Sequence, residues 1–203
     1  MSTVAKMSDK DFPIAPAGTQ VARCYQVIDL GHQKVEWQGE EKWFPKVLLT
    51  WELLGEEKMT DGRPFAVSNR FTLSLSKKSN LRPMLEAWRG KPFADEEARE
   101  FEVKNVLGAY CMLNVVHKES DEKVYANIAA VMALPKGMSK PTAVNPPLYF
   151  NIDLDDASKL PEWIQKVVGK SREKTGAFSN MKDDIPWEKE KKFPPEDFDS
   201  IPF

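Results

Sequence analysis

Between Gly31 and Phe44 the chain interleaves bases with large aromatic rings: His32, Lys34, Trp37, Lys42, Trp43 and Phe44 fall within fourteen residues that also carry Glu36, Glu40 and Glu41. A segment this polar is a poor candidate for core, so its rings are available for another use. Unpaired nucleic-acid bases offer flat faces that stack on indole or phenyl rings, at about 1–3 kcal/mol per base, while Lys and Arg neutralise the neighbouring phosphates. The alternative use of Trp43 and Phe44 is to plug the end of a barrel. Trp37, set among Glu36, Gln38 and Glu40, is the ring least suited to that. Lys46, Arg70 and Tyr125 join the candidate set because strand alternation turns the first two outward and places the third at the start of a strand near the same groove. Lys77, Lys78, Arg82, Arg89 and Lys91 form a second basic cluster, which reads first as a solvated face.

Other chemistries find little support. Cys24, Cys111, His32 and His117 are too scattered for a zinc pattern, and there is no CxxC or HxxxH pair. Asp183 and Asp184 are adjacent, which splays their carboxylates in an extended chain, and no Gly-rich phosphate loop or nucleophile motif occurs. The expectation is a binding protein without an active site, a metal or a cofactor.

A second constellation closes the sequence: Asp197, Phe198, Asp199, Ser200, Ile201, Pro202, Phe203. Acids followed by aliphatic, proline and aromatic also occur at Asp183-Asp184-Ile185-Pro186-Trp187. A terminal Phe can fill an apolar pocket while its carboxylate and the acids before it meet Arg or Lys at the rim, so this end is built to dock on a protein partner. The acids Glu196, Asp197 and Asp199 also hide a polarity of charge: without them the formal charge moves from −2 to +1.

These groups need a frame. At 203 residues the chain suits one domain with appendages, no apolar run is long enough to span a bilayer, and the amino terminus is polar, unlike a secretory signal. A soluble intracellular protein with two reduced, buried thiols is expected. Loose alternation over Gly18–Leu30 and strict alternation over Trp43–Leu53 and Pro64–Leu75 predict three strands, the first two joined by a long loop over 31–44. Val47, Leu49, Trp51 and Leu53 share one face of the second strand, Lys46, Leu48, Thr50 and Glu52 the other; Phe65, Val67, Asn69, Phe71, Leu73 and Leu75 point inward from the third. Leu81, Met84, Leu85 and Trp88 then predict a helix, with Asn80 as N-cap and Gly90 as its stop, followed by a short helical piece over 94–101. Strands resume at Tyr110–His117 and Val124–Leu134.

Three strands, a helix and two strands is the order of the OB-fold, a five-stranded Greek-key barrel with a helix between strands three and four. The expected organisation is an arm at 1–17, the mainly β barrel at 18–137, an extension at 138–169 with a short strand (Leu148–Ile152) and a helix (Asp156–Val168), and a disordered acidic tail over 170–203, rich in Lys, Glu, Asp and Pro.

The chain resembles phage-type single-stranded DNA-binding proteins through Leu81-Arg82-Pro83-Met84-Leu85-Glu86-Ala87-Trp88-Arg89-Gly90-Lys91-Pro92-Phe93, and its end is similar to the acidic tip of bacterial single-stranded DNA-binding proteins, with Asp199, Ile201, Pro202 and Phe203 matching and Ser200 interrupting the acidic run. The resemblance implies a barrel that coats single-stranded DNA in replication, recombination or repair in the cytoplasm of an infected bacterium. It also implies a tip that recruits replication or recombination enzymes, with no membrane partner; a homo-oligomer is compatible with it.

Overall fold

The computed structural model describes residues 13–37, 39–120 and 123–176. The fold is mainly β. Strands β1 (Gly18–Trp37), β2 (Glu40–Leu53), β3 (Ala66–Thr72), β4 (Tyr110–Ser120) and β5 (Lys123–Ala133) pair antiparallel in the order β3-β2-β1-β4-β5, and β6 (Leu148–Phe150) adds to β1 in parallel. Helices α1 (Leu81–Arg89) and α2 (Asp95–Glu100) stand between β3 and β4, and α3 (Glu162–Val168) and α4 (Arg172–Thr175) follow β6. The sheet has six strands, the sixth falling where a short strand was expected in the extension, and among the described residues no backbone pairing joins β3 to β5 to close a five-stranded barrel.

Both faces of the central strands are buried, and this organises the molecule. Inward, Ala22, Cys24 and Val27 of β1 meet Val47, Leu49, Trp51 and Leu53 of β2, Val67 and Phe71 of β3, Leu113 and Val115 of β4 and Val131 of β5. Helix α1 caps this core with Leu81, Leu85 and Trp88; the Trp88 ring lies 5.7 Å from that of Trp51 and its Nε1–H donates to the Tyr110 carbonyl at 2.9 Å. Outward, Ile28 and Leu30 of β1 and Leu48 of β2 form a second core with Phe150, Ile152, Leu160, Ile164 and Val168. The extension is therefore built onto the sheet, and two β-bulges, between Cys24 and Gln26 and between Asp29 and Gly31, let β1 present apolar side chains to both sides.

A buried clasp fastens the extension. The Glu52 carboxylate, fully buried, accepts from Arg23 Nε at 2.6 Å, from the Asn145 backbone N–H at 2.8 Å and from Asn145 Nδ2 at 2.9 Å, and Arg23 donates in turn to the Asn145 carbonyl. Such a pair is tolerable inside a protein because hydrogen bonds satisfy the charges that water no longer reaches.

Several local expectations change. The loop expected over 31–44 is strand: β1 and β2 stay paired to Trp37 opposite Glu40, and the chain reverses there with Gly39 at φ +78°, a conformation that favours glycine. The third strand ends at Thr72, so Leu73, expected inward, is exposed. Asn80 holds the N-cap position of α1 without a side-chain bond; the Ser79 hydroxyl accepts the Arg82 N–H instead. The helix expected over 156–168 is a 3-10 turn at Ala157–Lys159 and then α3, divided where Pro161 cannot continue the first. Disorder was expected from residue 170, but residues 170–176 are ordered: α4 is folded, with Ser171 buried and its hydroxyl accepting the Lys174 N–H, and the rest of the expected tail lies outside the described residues.

Candidate nucleic-acid interface

The outer halves of β1 and β2 form a two-stranded ribbon, and register decides which candidate side chains it brings together. Directly opposed residues share a face. Lys34 is opposite Trp43, and His32 opposite Pro45, so His32, Lys34 and Trp43 lie on one face; Lys42, opposite Val35, and Phe44, opposite Gln33, lie on the other. Lys34 is exposed and Trp43 half-buried, and this is the pairing of cation and ring that a stacked, phosphate-bearing strand requires. Trp37 closes the ribbon beside the reversal, in register with Glu40.

Phe44 does not belong to such a surface. It is buried, on the ribbon face where the Gln33 amide donates to the Val167 carbonyl of α3 at 3.2 Å. The two ribbon lysines are already engaged: Lys34 forms an ion pair with Glu41, and Lys42 with Glu40 at 3.0 Å. Both pairs are solvent-exposed, where an ion pair contributes about 0–1 kcal/mol, so a phosphate can compete for either lysine.

The outward faces of β2 and β3 were expected to line a groove. Lys46 and Arg70 are there, half-buried, in the successive cross-strand pairs Lys46–Thr72 and Leu48–Arg70, and Lys46 Nζ donates to Thr72 Oγ1 at 2.8 Å. The rest of that face departs from the expectation. Leu48, Thr50 and Glu52 are all buried, Leu48 in the second core, Thr50 in contact with Ser68 at 3.0 Å between hydroxyls, and Glu52 in the clasp. What covers this face is supplied about a hundred residues later in the chain. Tyr125, half-buried on β5 opposite Lys118, sits near the β4–β5 turn and adds a second pairing of ring and cation.

The basic cluster around α1 divides into structural and exposed members. Arg82 donates to Glu86 at 3.0 Å and to the carbonyls of Leu75 and Phe93. Glu86 also accepts the Phe93 N–H at 3.0 Å, and that bond together with the Arg82 guanidinium holds its carboxyl below the usual range. Arg89 lies 4.0 Å from the Phe93 ring centre and pairs with Glu97. The motif from Leu81 to Phe93 is thus a clasp around one helix, and Lys77, Lys78 and Lys91 alone of the cluster are exposed. Trp51, on the apolar face of β2, is core.

The partner-binding residues Asp197, Phe198, Asp199, Ile201, Pro202 and Phe203 lie outside the described residues. Among the described residues no group of His, Cys, Asp and Glu is arranged to hold a metal ion, and no helix is long and apolar enough to cross a membrane. Burial pushes the Cys24 thiol up to about 12, and Cys111 is raised for the same reason, so neither is a nucleophile near neutral pH. No protein-family model matches the chain, and no curated protein is significantly similar to it.

Proposed function

We propose that this protein is an OB-fold, sequence-tolerant single-stranded DNA-binding protein that coats exposed strands in phage DNA replication, recombination or repair. In this reading it recruits processing enzymes through Asp197–Phe203 and catalyses nothing itself. The observation that carries the reading is the ribbon, a pair of strands with the Lys34 cation and the Trp43 ring directly opposed on one face. The strand order supports it too: β3-β2-β1-β4-β5 with α1 between β3 and β4 is the order of an OB barrel opened between its third and fifth strands. Lys46, Arg70, Tyr125 and Lys118 extend the same chemistry beyond the ribbon. Stacking is indifferent to base identity, which gives tolerance of sequence, and phosphate neutralisation gives salt dependence.

Tryptophan fluorescence, titrated with oligo-dT, duplex DNA and single-stranded RNA at two salt concentrations, tests this. Quenching by oligo-dT that weakens with salt and fails with duplex is the expected result; equal affinity for duplex overturns it. Removal of residues 201–203 is expected to leave oligo-dT binding intact and abolish co-purification of DNA-processing enzymes. A chain with no affinity for DNA that still captured such enzymes would be an interaction scaffold instead.

A further inference from the structure

The described part of the extension covers only part of the outer face of the sheet. It seals Ile28, Leu30 and Leu48 into the second core, and its last contacts in the other direction fall on the row Arg23–Tyr110, where Arg23 donates to the Asn145 carbonyl and the Tyr110 hydroxyl to the Pro141 carbonyl at 2.9 Å. Beyond that row lie two more rows of directly opposed residues, Val21–Met112–Met132 and Thr19–Asn114–Ala130. Their neighbours Ala22, Cys111, Leu113 and Val131 point into the inner core, so strand alternation turns these six side chains outward. Thr19 and Met132 are exposed, Met132 at 38%, and the other four are half-buried. None of the six is charged, in a chain whose residues are 30% charged. A centre depleted of charge and enriched in methionine is what distinguishes a protein interface from ordinary surface.

The two borders of this patch carry opposite charge. On the β1 side the Leu54 N–H donates to the Val21 carbonyl at 2.8 Å, and the chain runs at once into exposed Glu56 and Glu57, which outweigh Lys58 beside them. On the β5 side the stretch from Ala129 to Lys140 holds two bases and no acid. Both of those bases, Lys136 and Lys140, are exposed, and Lys140 Nζ stands 5.5 Å from the centre of the Tyr110 ring. A patch that is neutral in the middle, acidic along one border and basic along the other complements itself under a two-fold rotation. We propose that this face is the interface of a homodimer, in which two copies pack sheet to sheet about an axis parallel to β4. That axis lays β1 of one copy over β5 of the other. Met112 then meets its own counterpart, Met132 meets the partner's Val21, and Glu56 and Glu57 face the partner's Lys136 and the partner's Lys140. Three strands spaced by about 4.8 Å make a strip only ~10 Å wide, so the dimer belongs to the small, weakly held class and forms as concentration rises.

None of these residues belongs to the ribbon, so the interface stands or falls separately from the proposed function. Sedimentation velocity of the full chain, without nucleic acid and over a wide range of concentration, tests it. The wild type is expected to pass from monomer to dimer as concentration rises, and added salt to push that transition to higher concentration by screening the borders. Met132→Glu sets a carboxylate in the neutral centre and is expected to raise the dissociation constant at least about tenfold. Its melting temperature at the lowest concentration should match the wild type, because the side chain is on the surface of the monomer. Glu56→Lys with Glu57→Lys is expected to weaken the dimer, and adding Lys136→Glu with Lys140→Glu to restore it. A wild type that stays monomeric throughout overturns the proposal, as does a dimer indifferent to Met132→Glu. A charge swap that fails to rescue overturns it too, and so does a dimer that is lost on removal of residues 177–203, since either result puts the contact elsewhere.

Discussion

β1 and β2 are one continuous antiparallel pair, yet their two ends differ in almost every respect except hydrogen bonding. Along the stem, from Ala22 to Leu30 and from Val47 to Leu53, side chains are buried on both faces: Trp51 and Leu49 against the inner core, Ile28, Leu30 and Leu48 against the extension. Along the ribbon, from His32 to Trp37 and from Glu40 to Pro45, Phe44 is buried but Lys34, Glu36, Glu40 and Glu41 are exposed, and the lysines hold exposed ion pairs. Strand pairing alone therefore says nothing about role. The stem stabilises the fold through apolar area withdrawn from water, whereas the ribbon's weakly held groups can be given over to a ligand at small cost.

The sharpest way to break this comparison is to truncate one tryptophan from each end. Trp51→Ala is expected to destabilise the protein by about 3–5 kcal/mol in urea denaturation, the usual range for a large buried ring, and Trp43→Ala by roughly 1 kcal/mol or less. Similar losses for the two would mean that the ribbon is part of the core. Glu52→Ala tests the clasp, because it leaves the Arg23 guanidinium buried without its partner; a loss of about 3 kcal/mol or more is expected. Ile164→Ala asks whether the extension belongs to the stem, and about 2–4 kcal/mol is the expectation for a fully buried aliphatic, against a few tenths for an appendage.

On the ribbon, Lys34→Ala is expected to change stability by about 0.5 kcal/mol or less, while weakening oligo-dT binding evenly across sequences and reducing the slope of log affinity against log salt by about 1. An unchanged slope would remove Lys34 from the phosphate path. An effect absent at neutral pH concerns the buried thiols. Cys24 is raised from 9.0 to about 12 in the folded protein, so the unfolded chain loses its proton first as pH rises. Stability should therefore be unaffected below about pH 9 and fall between about 9 and 12, and Cys24→Ser should flatten that decline.

Much of this architecture was legible because burial on one face leaves a periodic trace. Val47, Leu49, Trp51 and Leu53 announce an inward face, and Leu81, Leu85 and Trp88 a helix stripe, from local spacing alone. The ribbon left no such trace: a strand pair with neither face fully buried has no apolar alternation, and its mixture of acids, bases and rings imitates a loop. Gly39 was the one local sign of the reversal that pairs it. Of the candidate site, Lys34 and Trp43 stand together, Phe44 does not join them, and the His32 ring meets Glu173, a residue 141 positions away.

By itself the sequence determined the order of strands and the α1 helix, the inner core, the buried thiols and the choice of residues able to meet a base or a phosphate, because each depends on neighbours a few positions away. Tertiary structure alone decided the second core, the Glu52 clasp over an outer face that alternation would leave to solvent, and the seating of Glu173 at Gly31. Each of those joins β1 or β2 to a segment about a hundred residues or more downstream, and the partner that satisfies a buried group or fills a bulge leaves no mark on the periodicity of either segment.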